Sequence, residues 1–304
     1  MTDRQVVFIM GTGHCGSTLL DLLLGSHSLV FSLGELNQLQ GILDNPETED
    51  RLCSICLGEC EYWNRRLPPN LLRQYFPKRT YLNRLLKGLY QPDESLYQHL
   101  ITYFEHDILV DSSKNCDWIT AQMKSPQHWE TMSPILLYMV RDGRAVVNSY
   151  LRKYPEKSIE REVQRWQRHT EEMEAYYEQF TGKKMIVRYE ELCTRPAEIM
   201  QEVCRLLSID FEPVMLNYWI HDHHLVGGNA GTRSLITKYR SQFATIEPVE
   251  DSRTEGVWHG DYYKQAELAI QLDLRWRDEL TPQQLDIFES IAGKTNQRYA
   301  YDPA

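Results

Sequence analysis

The stretch Gly11-Thr12-Gly13-His14-Cys15-Gly16-Ser17-Thr18 carries the strongest chemical signal in the 304-residue chain. It lies between an apolar, β-branched run, Val6–Met10, and an apolar stretch, Leu19–Leu24. A buried strand, a glycine-rich turn and a helix are therefore predicted in immediate succession. Such a turn is an anion cradle: its glycines let the backbone approach an oxyanion, and the first helical N–H groups meet it with the positive end of the dipole. The G-x4-G-S-T spacing is that of a P-loop, except that Ser17 stands where a nucleoside triphosphatase carries lysine. Without that lysine the turn suits a 5′-phosphate better than a β/γ-phosphate pair with Mg²⁺. A nucleotide with a shorter tail is expected.

Two further strand ends carry charge. Ile108-Leu109-Val110 predicts a short strand running into Asp111-Ser112-Ser113-Lys114. Ligand groups in open α/β sheets collect at the carboxyl ends of strands, which makes Lys114 a functional candidate. The plainer alternative is a lysine paired with Asp111 or Asp117. Ile135–Val140 predicts a third strand, followed by Arg141-Asp142-Gly143-Arg144-Ala145-Val146-Val147-Asn148-Ser149. Arg141, with Ser149 eight residues on in the next helix, suits a phosphate: the guanidinium offers a bidentate fork and the serine a further donor. Taken alone, the R-D-G-R string reads as a charged turn with internal ion pairs. Together with the first loop, it does not.

Seven cysteines make an odd set. Cys53, Cys56 and Cys60 form a C-x2-C-x3-C cluster that looks like part of a zinc site. Cys15, Cys116, Cys193 and Cys204 are isolated and supply no second pair, so no metal site is predicted. A loop whose thiols pack, or pair on oxidation, is the expectation.

The elements that must position these residues alternate between strand and helix. The chain is expected to be α/β and three-layered, with a central, mainly parallel sheet and helices on both faces. One domain over 1–304 is expected, with an irregular, partly helical, cysteine-containing insertion at about 44–106, which Pro68-Pro69 and Pro77 punctuate. Within it Leu82, Leu85, Leu86 and Leu89 follow helical spacing, more simply as a helix packed on the sheet than as a cover over an acceptor site. Ile159–Phe180 predicts a helix with Trp166, Met173 and Tyr177 on one face, and Lys184–Val187 a strand. Thr194 with Pro196 is expected to open a helix through Leu207, and 238–262 reads as loop. Thr281-Pro282-Gln283-Gln284 has capping-box spacing for a helix ending near Gly293.

Composition narrows the function classes. At 42% hydrophobic and 25% charged the chain is ordinary, but its net charge of −10 argues against a nucleic-acid or anionic-membrane surface. An anionic ligand must then meet a local basic pocket. No apolar run approaches the roughly 18 residues of a membrane span, so none is expected. The first residues, MTDRQVVFIM, lack a long apolar h-region, so no secretory signal is expected and a cytoplasmic location is the default. Oligomeric state is left open.

These strings together resemble sulfotransferases that use 3′-phosphoadenosine 5′-phosphosulfate (PAPS), of the bacterial type related to tyrosylprotein sulfotransferases. In that family the first loop reads P-[RK]-[ST]-G-[ST]-T. Here Gly13 stands at the proline and His14 at the basic position, where a neutral imidazole donates one hydrogen bond but brings less charge. LLYMVRDGRAVVNSYLRK resembles the family's 3′-phosphate segment, including the Arg141-to-Ser149 spacing. The V-D-S-S-K strand end, Gly34-Glu35-Leu36 beyond the first helix, and the cysteine segment running into Cys60-Glu61-Tyr62-Trp63 are similar to the bacterial relatives. So are Arg188-Tyr189-Glu190-Glu191-Leu192, where the tyrosine approaches the nucleotide, and His224-Leu225-Val226-Gly227-Gly228-Asn229 with Arg233, a loop closing over it.

The resemblance implies a P-loop-NTPase-like sulfotransferase fold and in-line transfer of a sulfuryl group from PAPS to an acceptor hydroxyl. The product nucleotide is PAP, and no metal is required. It implies that Gly11, Thr12, Gly13, His14, Cys15, Gly16, Ser17, Thr18, Arg141, Ser149, Tyr189 and Arg233 bind the nucleotide. Glu35 is implied as general base and Lys114 as the cation that neutralises the bridging oxygen. His14 either donates to the sulfuryl group or packs in the loop, and His223 and His224 are alternative bases. The acceptor is a small-molecule, glycan or peptide hydroxyl. The rival readings are a P-loop kinase-like phosphotransferase and a catalytically silent PAP-binding protein on the same fold.

Overall fold

Alternate residues of the first strand, β1 (Gln5–Gly11), enter different cores. Val6, Phe8 and Met10 join one buried apolar cluster, and Val7 and Ile9 join another. A strand covered on both faces must be apolar at every position, which is why VVFIM shows no polar alternation. The computed structural model describes residues 4–45, 47–48, 51–67, 69–77, 95–243 and 267–302. Five strands form one all-parallel sheet in the order β2-β3-β1-β4-β5. The others are β2 (Val30–Gly34), β3 (Ile108–Lys114), β4 (Ser133–Val140) and β5 (Lys183–Arg188). Parallel neighbours require crossovers, and these lay helices on both faces. Helices Ser17–Leu24, Pro196–Leu207 and Ala230–Phe243 contribute to one core. Helices Leu96–Phe104, Gly143–Lys153, Ile159–Gln179 and Pro282–Asn296 contribute to the other. The three-layer α/β expectation holds.

The path of the chain creates the crevice. From β1 it runs out to the edge at β2, returns through β3, then passes over β1 to β4. Connections therefore diverge on the two sides of β1, and its carboxyl end is left uncovered as a topological switch point. The register shifts on β3 against both neighbours, between Phe8 and Met10 of β1 and between Ser32 and Gly34 of β2. Such irregularities re-aim the side chains at a strand end.

Several local expectations change. Val30–Gly34, unread as a strand in the sequence, stands between the first helix and Glu35, so Glu35 follows a strand end and not the helix directly. Thr194 does not cap the helix at Pro196. It ends the preceding helix, Tyr189–Thr194, and its hydroxyl bonds back to the Glu190 carbonyl at 2.8 Å, while the next helix starts without a side-chain cap. The 44–106 segment is no mere appendage, because Leu52, Cys53, Cys60, Trp63, Leu72 and Tyr97 are buried in the same core as Phe8. Residues 238–243 are helical where loop was expected. Leu82, Leu85, Leu86 and Leu89, and 244–262, lie outside the described residues. The Thr281–Gln284 capping box forms as expected, and the helix it opens runs on to Asn296.

Candidate active site at the strand ends

One cavity of about 410 Å³ opens beside the carboxyl ends of β1, β3 and β4. Gly13, His14, Gly16, Ser17 and Thr18 form one wall. The helix that starts at Ser17 has Gly16 in the left-handed region at φ 99° as its N-cap, and no side chain caps it. Its first amides are therefore available to a ligand oxyanion. Both glycines leave room that neighbouring side chains use, and Gly16 also has the positive φ that disfavours any other residue. A Cβ on Gly16 would lie 2.5 Å from the Tyr189 ring, and one on Gly13 would lie 1.9 Å from the Tyr150 hydroxyl. As placed, the Tyr150 hydroxyl fills the space beside Gly13 that a larger residue would need.

Arg141 and Ser149 face the same cavity as the loop. Arg141 is almost wholly buried, at 8% exposure. Its Nη1 donates to the His14 carbonyl at 3.0 Å and its Nη2 to the Asp273 carbonyl at 2.9 Å. The guanidinium stacks 4.1 Å over the Tyr189 ring, and the Asp273 carboxylate lies 3.4 Å away. Burial works against its charge, but Tyr189, Asp273 and Glu190 outweigh that and hold it above the usual arginine value. Asp273 is also penalised by burial, yet Arg275 and Arg141 hold it well below the usual carboxylate range. The Ser149 hydroxyl meets His14 Nδ1 at 2.9 Å, and the imidazole packs edge-on to Tyr150. The Tyr189 hydroxyl donates to the Gln271 carbonyl and accepts from the Asp273 amide, both at 3.2 Å. It thereby pins the 267–275 segment over the cavity.

On the other side of β1, Lys114 pairs with Glu35 Oε1, and Gln38 Nε2 donates to Glu35 Oε2. Both charged side chains are mostly enclosed, at 19% and 14% exposure. Asp111 is not the lysine's partner. Its buried carboxylate is taken by Tyr97, Trp118 and Ser113. Among the described residues, five non-glycine residues adopt positive φ, Leu57 in the cysteine segment being one. Glu105 and Ser208 are helix C-caps, where that conformation is routine. His14 (φ 64°) and Lys114 (φ 66°) are not, and both line the cavity. Strained backbone of this kind collects at functional sites.

The sequence reading missed much of the basic wall. Lys153, Lys157, Arg165 and Arg275 line the cavity along with Lys114 and Arg141, against two carboxylates, Glu35 and Asp273. A chain of net charge −10 thus gathers a local cationic pocket. Lys153 was findable, since it lies one helical turn beyond Ser149 on the same helix. Arg165 and Arg275 come from distant segments and left no local signal.

Other nominated residues lie elsewhere. Gly11, Thr12 and Cys15 do not line the cavity. Cys15 is fully enclosed, and burial pushes its thiol up. Arg233 is also absent from the lining and reaches the Ser54 carbonyl instead, tying its helix to the cysteine segment. His223 is buried against the Tyr218 carbonyl at 2.9 Å, and burial pushes it down to about 4. His224 stands among Cys53, Cys56 and Cys60. Neither histidine reaches the cavity as an alternative base.

The model of a sulfotransferase family matches residues 6–213, most of the chain, and the chain belongs to that family. Among solved structures it is similar to the sulfotransferase domain from the olefin synthase of Synechococcus PCC 7002. That match has 20% identity and a TM-score of 0.55, over 100% of this chain and 97% of that one. It is also similar to the sulfotransferase domain from the curacin biosynthetic pathway, at 19% identity and a TM-score of 0.51, over 98% of this chain and 99% of that one. At such identities the likeness establishes the fold. No curated protein matches the chain in sequence. Among the described residues, no helix is long and apolar enough to cross a membrane.

Proposed function

We propose that the chain transfers the sulfuryl group of PAPS to an acceptor hydroxyl. One observation carries the reading: the anion cradle, the Arg141–Ser149 pair and the Glu35–Lys114 pair all line a single cavity. The residues present fit an adenosine bisphosphate. The uncapped tip of the first helix suits the 5′-phosphate. Arg141 keeps one buried donor, Nε, without a hydrogen-bond partner, and Ser149 stands beside it on the cavity wall. Those two are assigned to the 3′-phosphate, with Lys153 and Arg275 as added positive charge. Tyr189 orients Arg141 through its ring.

In the transfer step the acceptor hydroxyl oxygen forms a bond to sulfur while its proton passes to the Glu35 carboxylate. The bond between sulfur and the bridging oxygen breaks, and that electron pair stays on the 5′-phosphate of PAP. Lys114 offsets the charge that develops there. In the structure the lysine is paired with Glu35, so substrate entry must exchange that partner for the sulfate ester. The exchange frees the carboxylate for the acceptor proton as it moves the ammonium to the leaving group. His14, bonded to Ser149, is assigned to loop packing and to orienting that serine.

Calorimetry with PAP in the absence of Mg²⁺ tests the reading, followed by transfer from radiolabelled PAPS to a fractionated hydroxyl library. Heat with PAP and label in an acceptor fraction are expected. No heat with PAP, or stronger stabilisation by ATP–Mg²⁺, would overturn it in favour of a kinase-like site.

A further inference from the structure

Cys53, Cys56 and Cys60 meet His224, which comes from 164 residues beyond the last of them, with all four ligand atoms within 4.8 Å of one another. His224 Nδ1 lies 3.4 Å from Cys56 Sγ and 3.3 Å from Cys60 Sγ. In a tetrahedral zinc site, bonds of ~2.3 Å to sulfur and ~2.0 Å to nitrogen put N and S about 3.5 Å apart and two sulfurs about 3.8 Å apart. The two observed N–S spacings lie within about 0.2 Å of that tetrahedron. From these four converging side chains we propose a structural Zn²⁺ site of Cys3His type.

The surroundings have the form such a site needs. The Cys56 amide donates to Cys53 Sγ at 3.4 Å, a hydrogen bond that suits a thiolate acceptor. On the far side of the imidazole, His224 Nε2 meets Asp222 at 3.0 Å, and Arg240 holds the other Asp222 oxygen at 2.7 Å. That carboxylate fixes the tautomer, with the proton on Nε2 and the Nδ1 lone pair toward the sulfurs. This is the outer-sphere arrangement that histidine metal ligands use. Three thiolates and one imidazole in a closed tetrahedron select zinc over the hard, oxygen-seeking cations. With four protein ligands and no open position, the ion would be structural and not catalytic.

The site also has a place in the fold. Trp63 Nε1 donates to the His224 carbonyl at 2.6 Å, and the Ser54 amide donates to the Leu225 carbonyl at 2.8 Å. Two residues past His224, Val226 exchanges backbone hydrogen bonds with Leu33 and Glu35 at the end of β2, at 2.9 and 2.7 Å. The ion would fasten the cysteine segment to the very loop that anchors Glu35. The looser expectation of packed or pairing thiols gives way to a cross-link between two distant parts of the chain.

Elemental analysis of the freshly purified full chain, prepared without added metal or chelator, is the first measurement; about one zinc per chain is expected. X-ray absorption at the zinc edge should then show three sulfurs near 2.3 Å and one nitrogen near 2.0 Å. Cobalt exchanged for zinc should give the intense visible bands of a tetrahedral thiolate site. Cys60→Ser and His224→Ala should each lose most of the zinc. Should either variant fail to fold, the absorption and cobalt spectra of the unaltered chain still decide. Substoichiometric zinc, a shell of oxygen and nitrogen only, or a disulfide among the three cysteines would overturn the site. None of these readouts uses PAPS, so a failure here leaves the sulfuryl-transfer reading untouched, and the reverse also holds.

Discussion

The two flanks of the cavity are held in different ways. On the β4 side the polar groups are tied to the scaffold: Arg141 to the carbonyls of His14 and Asp273, and Ser149 to the His14 ring. On the β2–β3 side Glu35 and Lys114 are tied chiefly to each other. The difference matches the roles proposed for each flank. A group that binds a fixed phosphate gains by being ordered in advance, since its entropy is then lost in folding and not in binding. Groups that handle a moving proton and a leaving oxygen must change partners during the reaction, and a mutual ion pair holds both in place until substrate divides them.

Substitutions on either side should separate accordingly. Glu35→Gln should lower turnover by ~100-fold or more while PAP affinity stays within about twofold, because only proton removal is lost. Normal turnover in that variant would remove Glu35 from the chemistry. Lys114→Ala should cost about 100-fold in the transfer step, the scale of losing one donor to a developing oxyanion, again with a smaller change in PAP binding. Arg141→Ala should show the opposite pattern. It loses a charged hydrogen-bonding group of about 1.5–3 kcal/mol, so PAP should bind about 10- to 100-fold more weakly, with turnover at saturation less affected. Identical kinetic defects in the lysine and arginine variants would erase the contrast between the flanks. Ser149→Ala, one neutral hydrogen bond, should weaken PAP by only about three- to tenfold in the same calorimetry.

The smallest effect concerns the floor beneath the cradle. Asp21 on the first helix is fully buried, and burial pushes its carboxyl up to about 7 despite hydrogen bonds from Ser112 and Ser32, both at 2.6 Å. In the unfolded chain it ionises near 4. Between those two values the folded state binds the extra proton, so this group makes stability fall as pH rises from about 4 to about 7. Asp21→Asn should flatten that part of the urea-midpoint profile. An unchanged slope would show that Asp21 is ionised in the fold.

Legibility tracked sequence distance. The glycine loop and the Arg141-to-Ser149 interval are each local, and helix and strand geometry carry such spacings directly into space. Glu35 was nominated through resemblance alone. Its partner Gln38, three residues on and bonded to the same carboxylate, went unread. β2 was missed because Val30–Gly34 is short and lies in an already apolar stretch. The fourth member of the cysteine cluster was hidden for a different reason. A second cysteine pair was sought, whereas the residue that meets the three cysteines is a single histidine from another loop, beside a second histidine that packs in the core.

By itself the sequence determined the local pieces of the site: an apolar strand that needs cover on both faces, a glycine turn that suits a 5′-phosphate without a lysine, and a strand-end arginine about two helical turns before a serine. These are consequences of backbone conformation and side-chain period, which act over a few residues. Only the tertiary structure decided which charges share a cavity, that Lys114 pairs with Glu35 and not with Asp111, and that His224 closes the cysteine cluster. Those pairings depend on crossover connections between strands distant in the chain, and no short window of sequence contains both partners.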